Sequence, residues 1–381
     1  MIKDYYVILT GSKNNAGDFL IKHRAKQLFS QFRPDREIID FNGWIPFDQS
    51  KLEIVNNAKA LILTGGPALQ EKMRPRVYGL TSNLSDINAP LATMGIGWYS
   101  PHGKWHNTHR YTLNSDSKAL LERIAEDDLI SSVRDYHTLN VLSGMGFTNY
   151  LMTGCPALYS KEHMNLPLQL SPKPKKIGFS LGVAFQGSRR MLKQMQDIIL
   201  MTRELFPDSK LQIVFHHGIS EEYLKTDGMA KSLFKAQTSF LAWLAEQGIS
   251  HIDISGSAEK LVEYYSDCDL HIGYRLHAHI FMSSISKPSV LLNEDGRGMG
   301  VYKVLGGINL DAYRKVTKNK LVSALHKFGI PFDHMKPANN LLQDYKNTMA
   351  YEMKSGVRLY QPRENINLHY RVMEVFLRGL P

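Results

Sequence analysis

The sequence predicts an α/β protein built as two Rossmann-like β/α domains facing a cleft. Three observations predict it. Short apolar runs such as Tyr5–Thr10, Ala60–Thr64 and Leu211–Phe215 end in glycine or histidine-glycine turns. Segments of helical period separate them, the alternation expected of parallel strands with crossovers. The pattern halts at Lys161–Lys176, a stretch rich in Pro, Lys and polar residues that reads as a linker, and restarts at Ile177. The 381 residues suit two domains of ordinary size.

Taken in order, Tyr5–Thr10 is a strand that ends in Gly11-Ser12, and Lys13–Gly17 is a polar loop. Asp18 is placed to cap a helix carrying Leu20, Ile21, Ala25, Leu28 and Phe29 on one face. The loop lacks G-x-G-x-x-G, so it gives no support for a dinucleotide. It is either a connection or a loop lying against a ligand. Ile38–Asp40, Ala60–Thr64 and Pro90–Gly97 are the next strands, the second running into Gly65-Gly66-Pro67. Trp98–Arg110 carries His102, His106 and His109, but their spacing is loose and no local carboxylate or cysteine joins them. No metal site is expected there. The loop either lines a sugar pocket, with Trp98 and Trp105 stacking on a ring, or is simply exposed. Asp128–Arg134 is a strand, Asp135 caps a helix that ends at Gly146, and Tyr150–Thr153 is a further strand.

The second half repeats the pattern. Ile177–Val183 is a strand, followed by a helix to about Leu205 and the strand Leu211–Phe215, which ends in His216-His217-Gly218. Ala230–Gln247 is a helix, His251–Ile254 a strand and Ala258–Tyr265 a helix. Cys268–Gly300 reads as strand Leu270–Gly273, helix Arg275–Ile285, strand Ser289–Leu292 and a glycine-rich loop. Asn319–His326, Asn340–Lys354 and Leu368–Arg378 are expected to be helical. The domain assignment is 1–168, 169–340 and a set of C-terminal helices, 341–381, crossing back to the first domain.

Arg275 and His277 stand where a strand gives way to a helix. Open α/β sheets bind ligands outside the carboxyl ends of their strands, and a helix N-terminus favours anions. The structural alternatives are an Arg275 paired with Asp269 or Glu294, and a His277 hydrogen-bonded in the core, the role expected of His279. His216 and His217 end a strand on the same cleft.

The net charge of +10 is spread along the chain. It implies either a solvated basic surface or attraction to an anionic substrate, glycan or membrane surface. No basic helix or aromatic–basic platform points to nucleic acid. Two cysteines, Cys155 and Cys268, make no metal motif or disulfide framework. The opening MIKDYYVILTGS has no secretory-leader pattern, and no apolar run approaches about 20 residues. The expectation is a cytoplasmic protein, with peripheral contact to the inner membrane surface left open.

Four motifs together resemble the polysaccharide pyruvyl transferase family. They are NAGD (Asn15–Asp18), Thr64-Gly65-Gly66, SVRD (Ser132–Asp135) leading to GCPAL (Gly154–Leu158), and GYRLHAHIF (Gly273–Phe281) followed by Pro288. They span about 15–300 in the family's order. The resemblance implies a GT-B-like fold and transfer of an enolpyruvyl group from phosphoenolpyruvate to a sugar, typically as a ketal. It implies donor contacts at Arg275, Leu276 and His277, with Arg134 and Arg297 as further donor residues. Arg275 and His277 inherit the catalytic roles. The acceptor-side candidates are Asn15, Asp18, Gly65, Gly66, Trp98 and His102. The co-substrate is phosphoenolpyruvate, with no metal or other cofactor. The partner is a sugar acceptor, lipid-linked or nucleotide-linked, in surface-glycan assembly.

Arginine suits a small ligand with a carboxylate and a phosphate, because its planar fork meets each bidentately. His277, with an ordinary pKa of about 6.5, is the natural proton carrier. The chain departs from the family where Cys155 replaces an aspartate, Tyr274 a frequent methionine, and Asn293–Arg297 (NEDGR) a Y-D-x-K run. These departures keep two rivals open: a GT-B glycosyltransferase using a nucleotide sugar, and a non-catalytic glycan-binding relative.

Overall fold

The computed structural model describes residues 4–11, 15–101, 103–186, 188–220, 231–315 and 335–381. The helix expected over 319–326 lies outside the described residues. Strands β1 (Tyr5–Thr10), β2 (Glu37–Asn42), β3 (Ala60–Thr64) and β4 (Leu91–Met94) form a parallel sheet in the order β2-β1-β3-β4. A parallel pair, β5 (Ser131–Val133) and β6 (Tyr150–Met152), extends it. The Gly95 N–H donates to Ser132 O at 3.0 Å and Ile96 bridges Val133. The second sheet is fully parallel and six-stranded. It contains β7 (Lys176–Ser180), β8 (Lys210–Phe215), β9 (Ser250–Asp253), β10 (Leu270–Gly273), β11 (Ser289–Asn293) and β12 (Ile308–Asp311), in the order β12-β11-β10-β7-β8-β9. A short antiparallel pair, β13 (Tyr313–Lys315) with β14 (Met335–Pro337), follows it.

The helices are α1 (Ala16–Phe32), α2 (Gln49–Asn56), α3 (Ser115–Ala125), α4 (Tyr136–Gly144), α5 (Arg189–Leu205), α6 (Lys231–Glu246), α7 (Ala258–Ser266), α8 (Leu276–Ser284), α9 (Gly296–Leu305), α10 (Leu341–Ser355) and α11 (Val357–Arg378). Most begin on a short polar side chain that satisfies a free N–H of the first turn. Asp135 does this for α4, accepting from Thr138 N–H at 2.8 Å. At α1 the cap is Asn15, accepting from Gly17 N–H at 3.2 Å, and not Asp18. Asp18 sits three residues further on, in the first turn, held by Asn15 Nδ2 at 3.1 Å. The expected strand over 128–134 shrinks to Ser131–Val133. The final helix starts at Val357 rather than 368, and tolerates Pro362 inside it.

The glycine-rich segment after β11 is helical. Asp295 caps α9 through Arg297 N–H at 2.9 Å. Its glycines serve close approach instead of flexibility. A Cβ on Gly296 would lie 2.6 Å from Ser100 O, and one on Gly298 2.0 Å from Asn293 Oδ1. The glycine density that reads as loop in the sequence is what lets this helix dock.

One core runs from β1 and α1 through Tyr265 and Phe281 to Phe376 and Leu377 of α11. A second fills the six-stranded sheet. Fully burying a side chain such as Phe281 contributes about 1.5–3 kcal/mol. α11 ties elements of both halves. Tyr370 OH accepts from Gln31 Nε2 at 2.7 Å, and Arg363 donates to Ser283 O at 2.9 Å and Ser284 O at 2.8 Å. Among the described residues no helix is long and apolar enough to cross a membrane.

Candidate active site

The carboxyl ends of β1, β3, β5, β7, β8, β10 and β11 face the cleft between the halves. The turn from β10 into α8 is tightly specified. Gly273 has φ +144°, and a Cβ there would lie 2.3 Å from Ser180 O. Ser180 O accepts from Tyr274 N–H at 2.9 Å, and Ser180 Oγ accepts from Arg275 N–H at 3.0 Å. Behind it His271 bonds Ser180 Oγ at 2.8 Å and Ser289 Oγ at 2.7 Å, and His279 bonds the same Ser289 Oγ at 2.8 Å. His279 is therefore a core histidine. His277 is not: it is buried, and its Nε2 has no hydrogen-bond partner.

α1 closes on this turn from the other half. Ala16 N–H donates to His216 O at 3.3 Å. A Cβ on Gly17 would lie 2.1 Å from His277 Nδ1, so glycine alone lets the helix N-terminus meet the imidazole. Between them is a cavity of about 270 Å³, lined among others by Asn15, His217, Arg275, Leu276, His277 and Arg297. Asn15, expected on the acceptor side, thus stands with the donor candidates.

Arg134 follows β5 and is 1% exposed. None of its three guanidinium nitrogens has a hydrogen-bond partner, and the Asp135 carboxylate lies 3.6 Å away. Asp135 is occupied with Thr138, through N–H at 2.8 Å and Oγ1 at 2.9 Å. Cys155 stands near Arg134, its thiol pushed up to about 11 by burial, so it brings no charge. The family's aspartate would have supplied one there. Arg275 Nε is likewise buried without a partner. Neither Asp269 nor Glu294, the alternative partners for Arg275, is ion-paired with it. Asp269 accepts from the Lys175 and Lys176 N–H groups at 2.7 and 3.0 Å. Glu294 accepts from Val183 and Ala184 N–H at 3.0 and 3.1 Å. Arg297 reaches the cavity but forks onto Asp295 at 2.7–3.1 Å. Burial alone would lower the Arg297 pKa; Asp295 more than reverses it.

Charge and burial set the protonation states. His277 is pushed down to about 3, first by burial and then by Arg134, Arg297 and Arg275. His217 falls to about 3, chiefly through Arg275. His216 also lies well below its ordinary value, through burial, and bonds Tyr265 OH at 2.8 Å as a structural residue. Asp18 rises to about 6 through burial, against the pull of Asn15, Arg297 and Arg134. The expectation of a His277 titrating near neutrality is corrected: burial first, and then the three arginines around it, keep the imidazole neutral.

A second cavity of about 170 Å³ opens in the N-terminal half. Asp18, Gly65 and Gly66 line it, together with Trp44 and Tyr78, which the sequence reading missed. The available signal was position: Trp44 follows the carboxyl end of β2. Trp98 does not belong to either cavity. It is fully buried and stacked on His137, ring centroids 5.0 Å apart, so it offers no face to a sugar. His102 lies outside the described residues. Among the described residues no three His, Cys, Asp or Glu side chains gather as a metal-ligand set.

The fold is GT-B-like. A UDP-GlcNAc 2-epimerase from Neisseria meningitidis, solved with UDP-GlcNAc, is similar over 98% of this chain and 99% of its own, with 9% identity and a TM-score of 0.55. The Methanocaldococcus jannaschii UDP-GlcNAc 2-epimerase in complex with UDP-GlcNAc and UDP covers 97% and 99%, at 11% identity and TM-score 0.47. The S. aureus MnaA–UDP co-structure covers 96% and 92%, at 11% identity and TM-score 0.49. No curated protein matches the chain. The family model "Polysaccharide pyruvyl transferase" matches residues 15–296, and the chain belongs to that family.

Proposed function

We propose that this chain moves the pyruvyl group of phosphoenolpyruvate onto a sugar of a surface polysaccharide or its precursor, forming a ketal. One observation carries the reading. Arg134, Arg275 and His277 lie together at the cleft, and each carries buried nitrogens with no hydrogen-bond partner, Arg134 having only the Asp135 carboxylate at 3.6 Å. Buried polar atoms are nearly always paired, so unpaired donors grouped in a cleft point to a polar ligand. Three guanidinium groups around one imidazole select a small, highly anionic one.

In this reading Arg134 and Arg275 grip the carboxylate and phosphate, and Arg297, steadied by Asp295, adds charge. The methylene carbon of phosphoenolpyruvate gains a proton and becomes a methyl. A sugar hydroxyl oxygen bonds to C2, the C2–phosphate bond breaks, and a second hydroxyl closes the ketal. Of the two hydroxyl protons, one balances the proton given to the methyl and the other leaves with phosphate. His277 enters neutral; the anionic donor offsets the arginines that depress its pKa, and the imidazole then accepts a hydroxyl proton. Asp18, with its carboxyl near 6, holds a proton in part of the population at neutral pH and supplies the methylene. Arginines stabilise the departing phosphate. The reading calls for no cofactor beyond the co-substrate.

The test is incubation with phosphoenolpyruvate and a panel of free, lipid-linked and nucleotide-linked sugars. Phosphate release is followed together with the mass of the acceptor. No release with any acceptor, and no thermal stabilisation by phosphoenolpyruvate, overturns the proposal.

A second reading, transfer from a nucleotide sugar, is favoured by one feature. The cavity continues into another of about 160 Å³, which shares Arg275 and His217 and is lined by Phe185 and Phe215. Those aromatic walls suit a nucleobase. Stabilisation by UDP with none by phosphoenolpyruvate would select it.

A further inference from the structure

We infer that the cavity bounded by Trp44, Tyr78, Gly65-Gly66 and Asp18 is a pyranose-binding subsite that presents the acceptor sugar to the donor cavity. The inference rests on the reading of the chain as a transferase with a sugar acceptor, and it names where that sugar sits.

Four features build the site. Its volume of about 170 Å³ is of the order of one monosaccharide. Trp44 forms one wall and is 36% exposed, so a large aromatic surface is held partly open to solvent. Its indole lies over the Gly11 backbone, where a Cβ would come within 2.5 Å of Nε1. A planar aromatic wall of this kind takes the apolar C–H face of a sugar ring. Tyr78, also lining the cavity, is 2% exposed, yet its hydroxyl has no hydrogen-bond partner. A buried hydroxyl left this way costs free energy until a ligand hydroxyl meets it. At Gly66 a Cβ would meet no protein atom within 4 Å and would project into open space.

Asp18 gives the cavity its direction. Its carboxylate lines this cavity and is bonded by Asn15 Nδ2 at 3.1 Å, and Asn15 lines the arginine-rich one. A hydroxyl bound by Asp18 is therefore turned toward the place where the donor's reacting carbon would lie. This replaces the expectation that Trp98 stacks on the sugar, since Trp98 is buried against His137.

The experiment is a saturation-transfer NMR titration, without phosphoenolpyruvate. The probes are the methyl glycosides of galactose, glucose, mannose and N-acetylglucosamine. Wild type should bind at least one of them. Trp44→Ala should weaken that binding by roughly tenfold. Tyr78→Phe removes only the hydroxyl, keeps the packing and should weaken it by about fivefold. Trp105→Ala, whose exposed indole lines neither cavity, should leave it unchanged. Tyr78→Phe keeps the test decisive if Trp44→Ala fails to fold. Binding of none of the glycosides, binding indifferent to both Trp44→Ala and Tyr78→Phe, or equal loss in Trp105→Ala overturns the subsite. Because no donor is present, the result stands apart from whether phosphoenolpyruvate is ever turned over.

Discussion

Replacing Asp18 with Asn should make the protein more stable at neutral pH while removing its turnover. The carboxyl group titrates near 6 in the folded chain, raised from 3.8 mainly by burial. The sign follows from where the proton sits. Below about pH 3.8 both states hold it. Between about 3.8 and 6 the folded state keeps a proton the unfolded state has lost, so stability falls as pH rises through this window. Above about pH 6 the native carboxylate is ionised in a buried site and the penalty is complete. At about 1.36 kcal/mol per unit, the displacement amounts to about 3 kcal/mol near pH 7.5 and about 1 kcal/mol near pH 4.5. Asn carries no such penalty and keeps an oxygen for Asn15 Nδ2. An unfolding entropy of about 2.1 cal/mol/K per residue makes about 3 kcal/mol worth roughly 4 °C in Tm for a chain of this length. Urea and thermal unfolding of both proteins at the two pH values measure the increment. An Asp18→Asn protein no more stable than wild type near neutrality, or an increment independent of pH, would refute the buried-carboxylate account.

Other perturbations test the remaining parts. Gly17→Ala should destabilise by about 1–3 kcal/mol, because the new methyl meets His277 across the cleft, despite alanine's better helix propensity. Gly144→Ala, where a Cβ meets nothing within 4 Å, is the control, and equal urea midpoints for the two would remove the close approach. His277→Gln should lower kcat for phosphate release by about 10²–10⁴-fold with donor binding largely kept; unchanged turnover would end its role. In the ligand-free protein the His277 imidazole should stay neutral in NMR titration until well below pH 5, as the value of about 3 requires. A midpoint near 6.5 would contradict the three-arginine environment. Arg134→Met should abolish thermal stabilisation by phosphoenolpyruvate, a loss of about 2–5 kcal/mol in ligand affinity; stabilisation equal to wild type would detach Arg134 from the donor.

Much of the fold was legible because its signals are local. Tyr5–Thr10, Ala60–Thr64 and Leu270–Gly273 appear as strands with the bounds that their apolar runs suggest. Asp135 caps α4 as its position before a periodic segment implied. Arg275 and His277 were legible as candidate residues at a strand end, since a strand end followed by a helix start is itself a sequence pattern. The misreadings arose where a residue's meaning depends on a distant neighbour. The glycines of α9 read as a loop until Ser100 and Asn293 are seen pressing against them. Asp18 read as a cap because Asn15, three positions earlier, was counted as loop.

The sequence by itself determined the alternation of strands and helices, the parallel sheets it implies, and the pair of basic residues at the head of α8. Periodicity, capping and turn chemistry act over a few residues and can be read there. Only the tertiary structure decided which side chains share an environment. It buried Trp98 against His137 and left Trp44 on a cavity wall. It brought Arg134, which follows β5, near His277 of α8, 143 positions later, and left its guanidinium nitrogens without a hydrogen bond. It also shifted two pKa values, lowering that of His277 and raising that of Asp18. Burial and Coulomb fields depend on distances through space, and those distances exist only once the two halves have closed on the cleft.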